Sequence, residues 1–103
     1  MDTKFNIVFS KHAELQIIKI FEYITDTLIN KDAADSLMAK FDMGFDRVAT
    51  FPNMCPVSDF DGYRKLVIGN YVALYRVDEP NKTIFVVAVH HATQDYSRDT
   101  TYM

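Results

Sequence analysis

Arg64, His90, His91 and Tyr96 are the side chains of this 103-residue sequence with the most usable chemistry. A guanidinium fork suits a phosphate or a carboxylate. An imidazole titrates near neutral pH and can take or give a proton. A phenol near the end of the chain can stack on a planar base. Arg64, His90 and Tyr96 together would make a small site for a phosphate-bearing, base-bearing ligand. The His90-His91 pair could suggest a metal, but adjacent residues of a strand point to opposite faces, so joint chelation is not expected. No metal site and no cofactor is expected. Cys55 has no second cysteine to pair with and reads as a buried or incidental loop thiol. His12, at the start of a helix, is expected to be exposed, and Arg76, at a strand end, to be a solvated or structural cation.

The stretch that must position these groups is YRKLVIGNYVALYRVDEPNKTIFVVAVHHATQDY, residues 63–96. Its β-branched and aromatic runs predict three strands over residues 63–68, 71–78 and 83–91. Gly69-Asn70 is a two-residue hairpin connection, and residues 79–82, with Pro80 and Asn81, form a turn. A tight first hairpin sets Ile68 opposite Tyr71 and Arg64 opposite Tyr75. A four-residue second loop sets Tyr75 opposite Val86 and Tyr71 opposite His90. Alternation then places Arg64, Leu66, Ile68, Tyr71, Ala73, Tyr75, Val86, Ala88 and His90 on one face. The other face holds Tyr63, Lys65, Val67, Val72, Leu74, Arg76, Phe85, Val87, Val89 and His91. Both faces are largely apolar. One must cover the core, and the other is expected to meet a partner or ligand.

The first half of the chain supplies what packs on that sheet. Residues 4–9 read as an opening strand. Ser10 can cap a helix over residues 11–28, whose stripe is Ala13, Ile17, Phe21, Ile24 and Leu28. Leu15, Ile18 and Ile29 lie off that stripe and form a second apolar strip. Asn30-Lys31 breaks the helix. Asp32 is expected to cap a second helix, with Ala34, Leu37, Met38, Phe41, Phe45 and Val48 as its stripe. Gly44 inside that stripe implies close approach of another backbone, since glycine lowers helix stability by about 1 kcal/mol relative to alanine. Pro52 ends the helix. The element order is β-α-α-β-β-β. The expected architecture is α+β, a helical hairpin packed on a mostly antiparallel four-stranded sheet.

Composition narrows the class. A chain of 103 residues fits one domain, residues 1–103. With 49% hydrophobic and 24% charged residues, it falls among ordinary globular chains. A net charge of −3 speaks against a general nucleic-acid coat, which is strongly basic. No apolar run approaches the roughly 20 residues of a membrane span, and MDTKFNIVFS has no signal-peptide core. A cytoplasmic location is expected, with no membrane partner.

The element order, with YRKLVIGNYVALYRVDE followed by FVVAVHHATQDY, resembles the RelE/ParE superfamily of bacterial type II toxin–antitoxin toxins. IVFSKHAELQIIKIFEYI is similar to that family's first strand and helix. AADSLMAKFDMGFDRVATFP is similar to its second helix, which commonly ends in a proline. The resemblance covers nearly the whole chain and rests on several weak motifs in the right order. It implies a growth-arresting toxin of a plasmid-stabilisation type module. A cognate antitoxin would neutralise it, and the pair would reach operator DNA only as a complex. One branch of the family cleaves messenger RNA on the ribosome, and the other inhibits DNA gyrase.

Within the resemblance, Arg64 matches a position that is usually Lys or Arg in the ribonuclease branch, His90 a strand position often filled by Arg or His, and Tyr96 a base-stacking tyrosine. Leu66 and Val72 fall where that branch often carries further cations. Cleavage by the ribose 2′-hydroxyl needs a base, an acid and cations for the phosphate, so those two departures weaken it. HHATQDY is nearer the ParE-like pattern. The expectation is therefore a ParE-like gyrase inhibitor. The alternatives are a RelE-like ribosome-dependent mRNA endoribonuclease and a non-toxic module that only binds antitoxin.

Overall fold

The computed structural model describes residues 4–57 and 62–92. Strand β1 is Asn6–Phe9, helix α1 is Lys11–Glu22 and helix α2 is Lys31–Thr50. Strands β2, β3 and β4 are Arg64–Ile68, Tyr71–Asp78 and Thr83–His91. The sheet order is β1-β4-β3-β2, with β1 parallel to β4 and the other pairs antiparallel. The expected α+β architecture and element order are those of the folded chain.

Ser10 sets the handover from β1 to α1. Its Oγ accepts from the Ala13 N–H at 3.0 Å, which satisfies one of the donors a helix start leaves unpaired. The first helix does not stay α-helical to residue 28. After Glu22 it widens into a single π-turn, Tyr23–Thr27, in which the Leu28 N–H reaches the Tyr23 carbonyl at 3.0 Å. The Thr25 hydroxyl donates to the Phe21 carbonyl at 2.9 Å, a side-chain competitor for the α-helical ladder at this point. Ile29 then takes a left-handed φ of 49°, and the Asn30 N–H closes the turn on the Ile24 carbonyl at 3.1 Å. Asn30, not Asp32, caps α2: its side chain accepts from the Ala33 N–H at 3.0 Å. Asp32 lies in the first turn, where its charge suits the positive end of the helix dipole.

The helices meet the sheet through aromatic edges. Phe21 and Phe41 pack edge-to-face with centroids 5.6 Å apart, Phe41 meets Tyr71 at 6.2 Å, and Phe9 meets Phe45 at 5.2 Å. Ala34, Leu37, Phe41, Phe45 and Val48 of the α2 stripe are buried, while Met38 is exposed rather than in the core. Leu28 is exposed too, because the π-turn rotates it off the α1 stripe. Leu15, Ile18 and Ile29 are exposed, and Ile29 lies in the turn beyond the helix, so it is not in line with the other two. Gly44 is needed for closeness, but to side chains rather than to another backbone. A methyl there would stand 3.3 Å from Ile68 Cγ1 and 3.6 Å from Leu66 Cδ2.

The first hairpin has the expected register, with Ile68 opposite Tyr71, Arg64 opposite Tyr75, and φ of 59° at Gly69. The second hairpin begins as expected, with Tyr75 opposite Val86, and then slips. Leu74 pairs with Ala88, so Val87 is an extra residue, and beyond it Val72 faces His90 and Tyr71 faces His91. This β-bulge moves the end of β4 by one residue and exchanges its faces. Val89 joins the core beneath the helices with Ala73, Tyr75, Ile84 and Val86. Val72, Leu74, Val87 and Ala88 form a second buried cluster on the other face, with Tyr63 against it. That second face is therefore not the open partner surface expected from the sequence.

Phe41 is the centre of the larger core, buried and in edge contact with rings from α1, α2 and β3. Phe41→Ala is expected to lower stability by about 3–5 kcal/mol, the loss typical of emptying a buried aromatic site. Chemical denaturation of both proteins checks it; equal midpoints would contradict the packing.

Candidate functional site

Arg64 opens β2 and lies half-buried. Its Nη1 donates to the Cys55 carbonyl at 2.6 Å and reaches the Asn53 carbonyl at 3.5 Å. Opposite it on β3, Tyr75 is fully buried and donates its hydroxyl to the Pro52 carbonyl at 2.9 Å. Arg64 and Tyr75 thus fasten the segment that leaves α2 onto the sheet. One nitrogen of the Arg64 fork, Nη1, is engaged by backbone carbonyls, neutral acceptors for a guanidinium that is partly desolvated.

His90 is nearly as buried, at 1% exposure, at the other end of the sheet. Gln16, on α1, reaches it. Gln16 Oε1 accepts from the Val89 N–H at 2.7 Å, which fixes which end of that amide is oxygen. The amide nitrogen, 3.3 Å from His90 Nδ1, is then the donor. His90 is accordingly the neutral tautomer that accepts at Nδ1 and carries its proton on Nε2. As a proton acceptor its Nδ1 is already used.

The bulge places Arg64 and His90 on opposite faces of the sheet. Arg64 follows Tyr75 beneath the helices, and His90 follows Val72 on the other side. The shared face expected for the two is not formed, and no single ligand can meet both there. Tyr96 lies outside the described residues. The histidine that the bulge brings to the helix side is His91. Its ring meets Tyr71 edge-on at 5.4 Å, and both border a cleft of about 340 Å³ with Gln16, Lys19, Ile20 and Tyr23. Leu66 and Val72, where further cations would be needed, are buried apolar side chains.

Gln16 is the residue that reading by type and spacing overlooked. A signal existed: it is a polar residue one turn from Ala13 and Ile20, at the border of the apolar stripe of the first helix. Such a residue is either exposed or bonded to something buried, and only the packed fold says which.

An open α+β sheet of this order, carrying a helical hairpin on one face, is the RelE/ParE-like fold. The ParDE toxin–antitoxin system of Pseudomonas aeruginosa includes a chain that superposes with a TM-score of 0.70 at 16% identity, over 85% of this chain and 96% of that one. A chain of the RelBE2 complex of Mycobacterium tuberculosis gives 0.63 at 16% identity, over 86% and 99%. A mutant of the toxin RelE of Escherichia coli in its free state gives 0.60 at 13% identity, over 92% and 90%. No curated protein matches the sequence. Residues 7–96 match the family described as the ParE toxin of the type II toxin–antitoxin system parDE. The chain belongs to that family and is a type II toxin of the RelE/ParE superfamily. Among the described residues, no helix is long and apolar enough to cross a membrane.

Burial, and after it the Cys55 thiol alongside, pushes the Tyr75 phenol well above its ordinary range. The fold therefore holds the neutral phenol. Its contribution to stability is complete below about pH 10, where the unfolded phenol titrates, and declines as pH rises beyond that. Tyr75→Phe is expected to cost about 1–2 kcal/mol at pH 8 by leaving the Pro52 carbonyl without its donor. It should also lose less stability than the parent between pH 9.5 and pH 11. Urea unfolding across that range checks both; parallel pH curves would contradict the assignment. Gln16→Leu keeps the helix but strips the Val89 N–H of its acceptor, and is expected to lower stability by about 1–3 kcal/mol. A melt unchanged from the parent would show that water replaces the amide there.

Proposed function

We propose that this toxin arrests growth by binding and blocking DNA gyrase, and that a cognate antitoxin in the same compartment, the cytoplasm, neutralises it. The observation that carries the choice of target is the use to which the candidate cations are put. Arg64 is bonded to the carbonyl of Cys55, and positions 66 and 72 hold buried Leu66 and Val72. Cleavage of RNA passes through a phosphate that gains negative charge, and preformed cations aimed at it are the largest source of catalysis. His90, buried with Nδ1 engaged by Gln16, is equally badly placed to take a proton from a ribose hydroxyl. Membership of the ParE family supports the same reading. The toxin then acts by occupying its target. Of the three residues singled out for a functional surface, Tyr96 is the proposed target contact, while Arg64 and His90 hold the fold that carries it.

Induction in cells is expected to stop growth, relax plasmid supercoiling and leave bulk mRNA intact. Purified toxin should inhibit gyrase supercoiling in vitro. Tyr96→Ala should weaken that inhibition, whereas Arg64→Ala and His90→Ala should act through lowered stability. Specific cuts in translated mRNA, with supercoiling unchanged, would replace this reading with the ribonuclease one. Expression without any growth arrest would favour a module that only binds its antitoxin.

A further inference from the structure

The cleft beside His91 is a product of the β-bulge. Its helix wall is Gln16, Lys19, Ile20 and Tyr23, spaced i, i+3, i+4 and i+7, so they form one stripe at the end of α1. Its sheet wall is Val89 and His91, two apart on β4, with Tyr71 paired to His91 across the ladder. A regular strand would offer Ala88 and His90 to the helices in place of Val89 and His91. The extra residue at Val87 exchanges them. Bulges recur where a side chain is re-aimed for use, and here the re-aimed pair lines a hollow.

The chemistry of the lining is uneven in a way that selects a ligand. Val89 is buried and Ile20 half-buried, which gives an apolar floor. Tyr71 is in edge contact with Phe41 and with His91, so its ring is fixed before anything binds. Tyr23, on the facing wall, is 54% exposed. The Gln16 amide is already committed to the Val89 N–H and to His90. Lys19 is exposed, and among the described residues it makes no ion pair. No carboxylate is among the described lining residues. A volume of about 340 Å³ falls within the range of about 300–1,000 Å³ typical of clefts that hold small organic ligands.

An apolar floor, two phenol rings and one ammonium suit a molecule with a flat apolar body and a single negative end. We propose that this cleft binds a small aromatic monocarboxylate. The ring of the ligand lies over Ile20 and Val89, between Tyr23 and Tyr71, where offset or edge contacts with the phenols add to the burial of its faces. The carboxylate meets the Lys19 ammonium in a charge-assisted hydrogen bond. A neutral ring would leave Lys19 unused, and a polyanion would bring more charge than one ammonium offsets. Binding of this kind requires neither gyrase nor an antitoxin, so it goes beyond the toxin reading and does not depend on it.

The probes are 2-naphthoate and its neutral counterpart of the same shape, 2-naphthamide. Titration of 2-naphthoate into the isotope-labelled chain is expected to shift the amides of Ile20, Tyr71, Val89 and His91. The neutral probe should bind at least about fivefold more weakly, since it cannot make the charge-assisted contact. Lys19→Gln, at an exposed position where the melt should match the parent, should bring the acid down to the affinity of the neutral probe and leave the neutral probe unchanged. Tyr23→Ala, also at an exposed position, should weaken both probes by a similar factor. Equal binding of the two probes by the parent, shifts centred on Val67 and Gly69, or no shift at millimolar probe would each overturn the proposal. So would protection of the same amides by a cognate antitoxin in a chain that ignores both probes, which would make the cleft part of a protein interface. Growth arrest is scored separately, so the toxin reading stands or falls apart from these titrations.

Discussion

Strand β4 is longer than the strand beside it. β1 ends at Phe9, opposite Val86, while β4 continues to His91. From Val87 to His90 that flank of β4 is buried and, among the described residues, has no strand to bond. A buried backbone donor or acceptor left unpaired costs about as much as a lost hydrogen bond, so something else must serve it. The first helix does so. Ser10 gives its N–H to the Val86 carbonyl at 2.9 Å and its hydroxyl to the Val87 carbonyl at 3.1 Å. Gln16 takes the Val89 N–H.

Much else follows from that arrangement. Two successive carbonyls can turn toward one serine only if the strand kinks, and the bulge at Val87 is that kink. The same serine caps α1, so the helix start and the strand kink are fixed together. The bulge also sets which histidine is available. His90 goes to the far face and becomes part of the buried framework through Gln16, and His91 goes to the helix side against Tyr71. At the other end of the sheet Arg64 and Tyr75 do comparable work, tying the chain after α2 to β2 and β3. Two of the groups that look most chemical by type are thus spent on holding backbone in place. A toxin that acts by occupying its target can use them in this way, and one that must stabilise a reacting phosphate cannot.

The two edges of the sheet are managed differently. The β4 flank beyond β1 is closed within the molecule by side chains of α1. The β2 edge is closed by two residues and then left, with cations from α2 alongside. Closure on one side and charge on the other are both known ways for a small sheet to avoid pairing with copies of itself.

Most of the fold was legible in residue order. The 3.6-residue stripes marked both helices, Ser10 and Pro52 bounded them, and Gly69-Asn70 fixed the first hairpin to the residue. These features are local: each depends on neighbours a few positions away. The helix caps and ends around residues 23–32 were less legible, because Thr25 and Asn30 act through bonds that compete with the regular ladder. The end of β4 could not be read at all. Its face depends on one inserted residue, and the insertion is stabilised by Ser10 and Gln16, more than seventy positions earlier in the chain. Since a strand alternates every residue, that single step reversed Ala88, Val89, His90 and His91 together, and with them the expected meeting of Arg64 and His90. The sequence determined which elements form and in what order; the tertiary hydrogen bonds to an otherwise unpaired strand flank decided which side chains face one another.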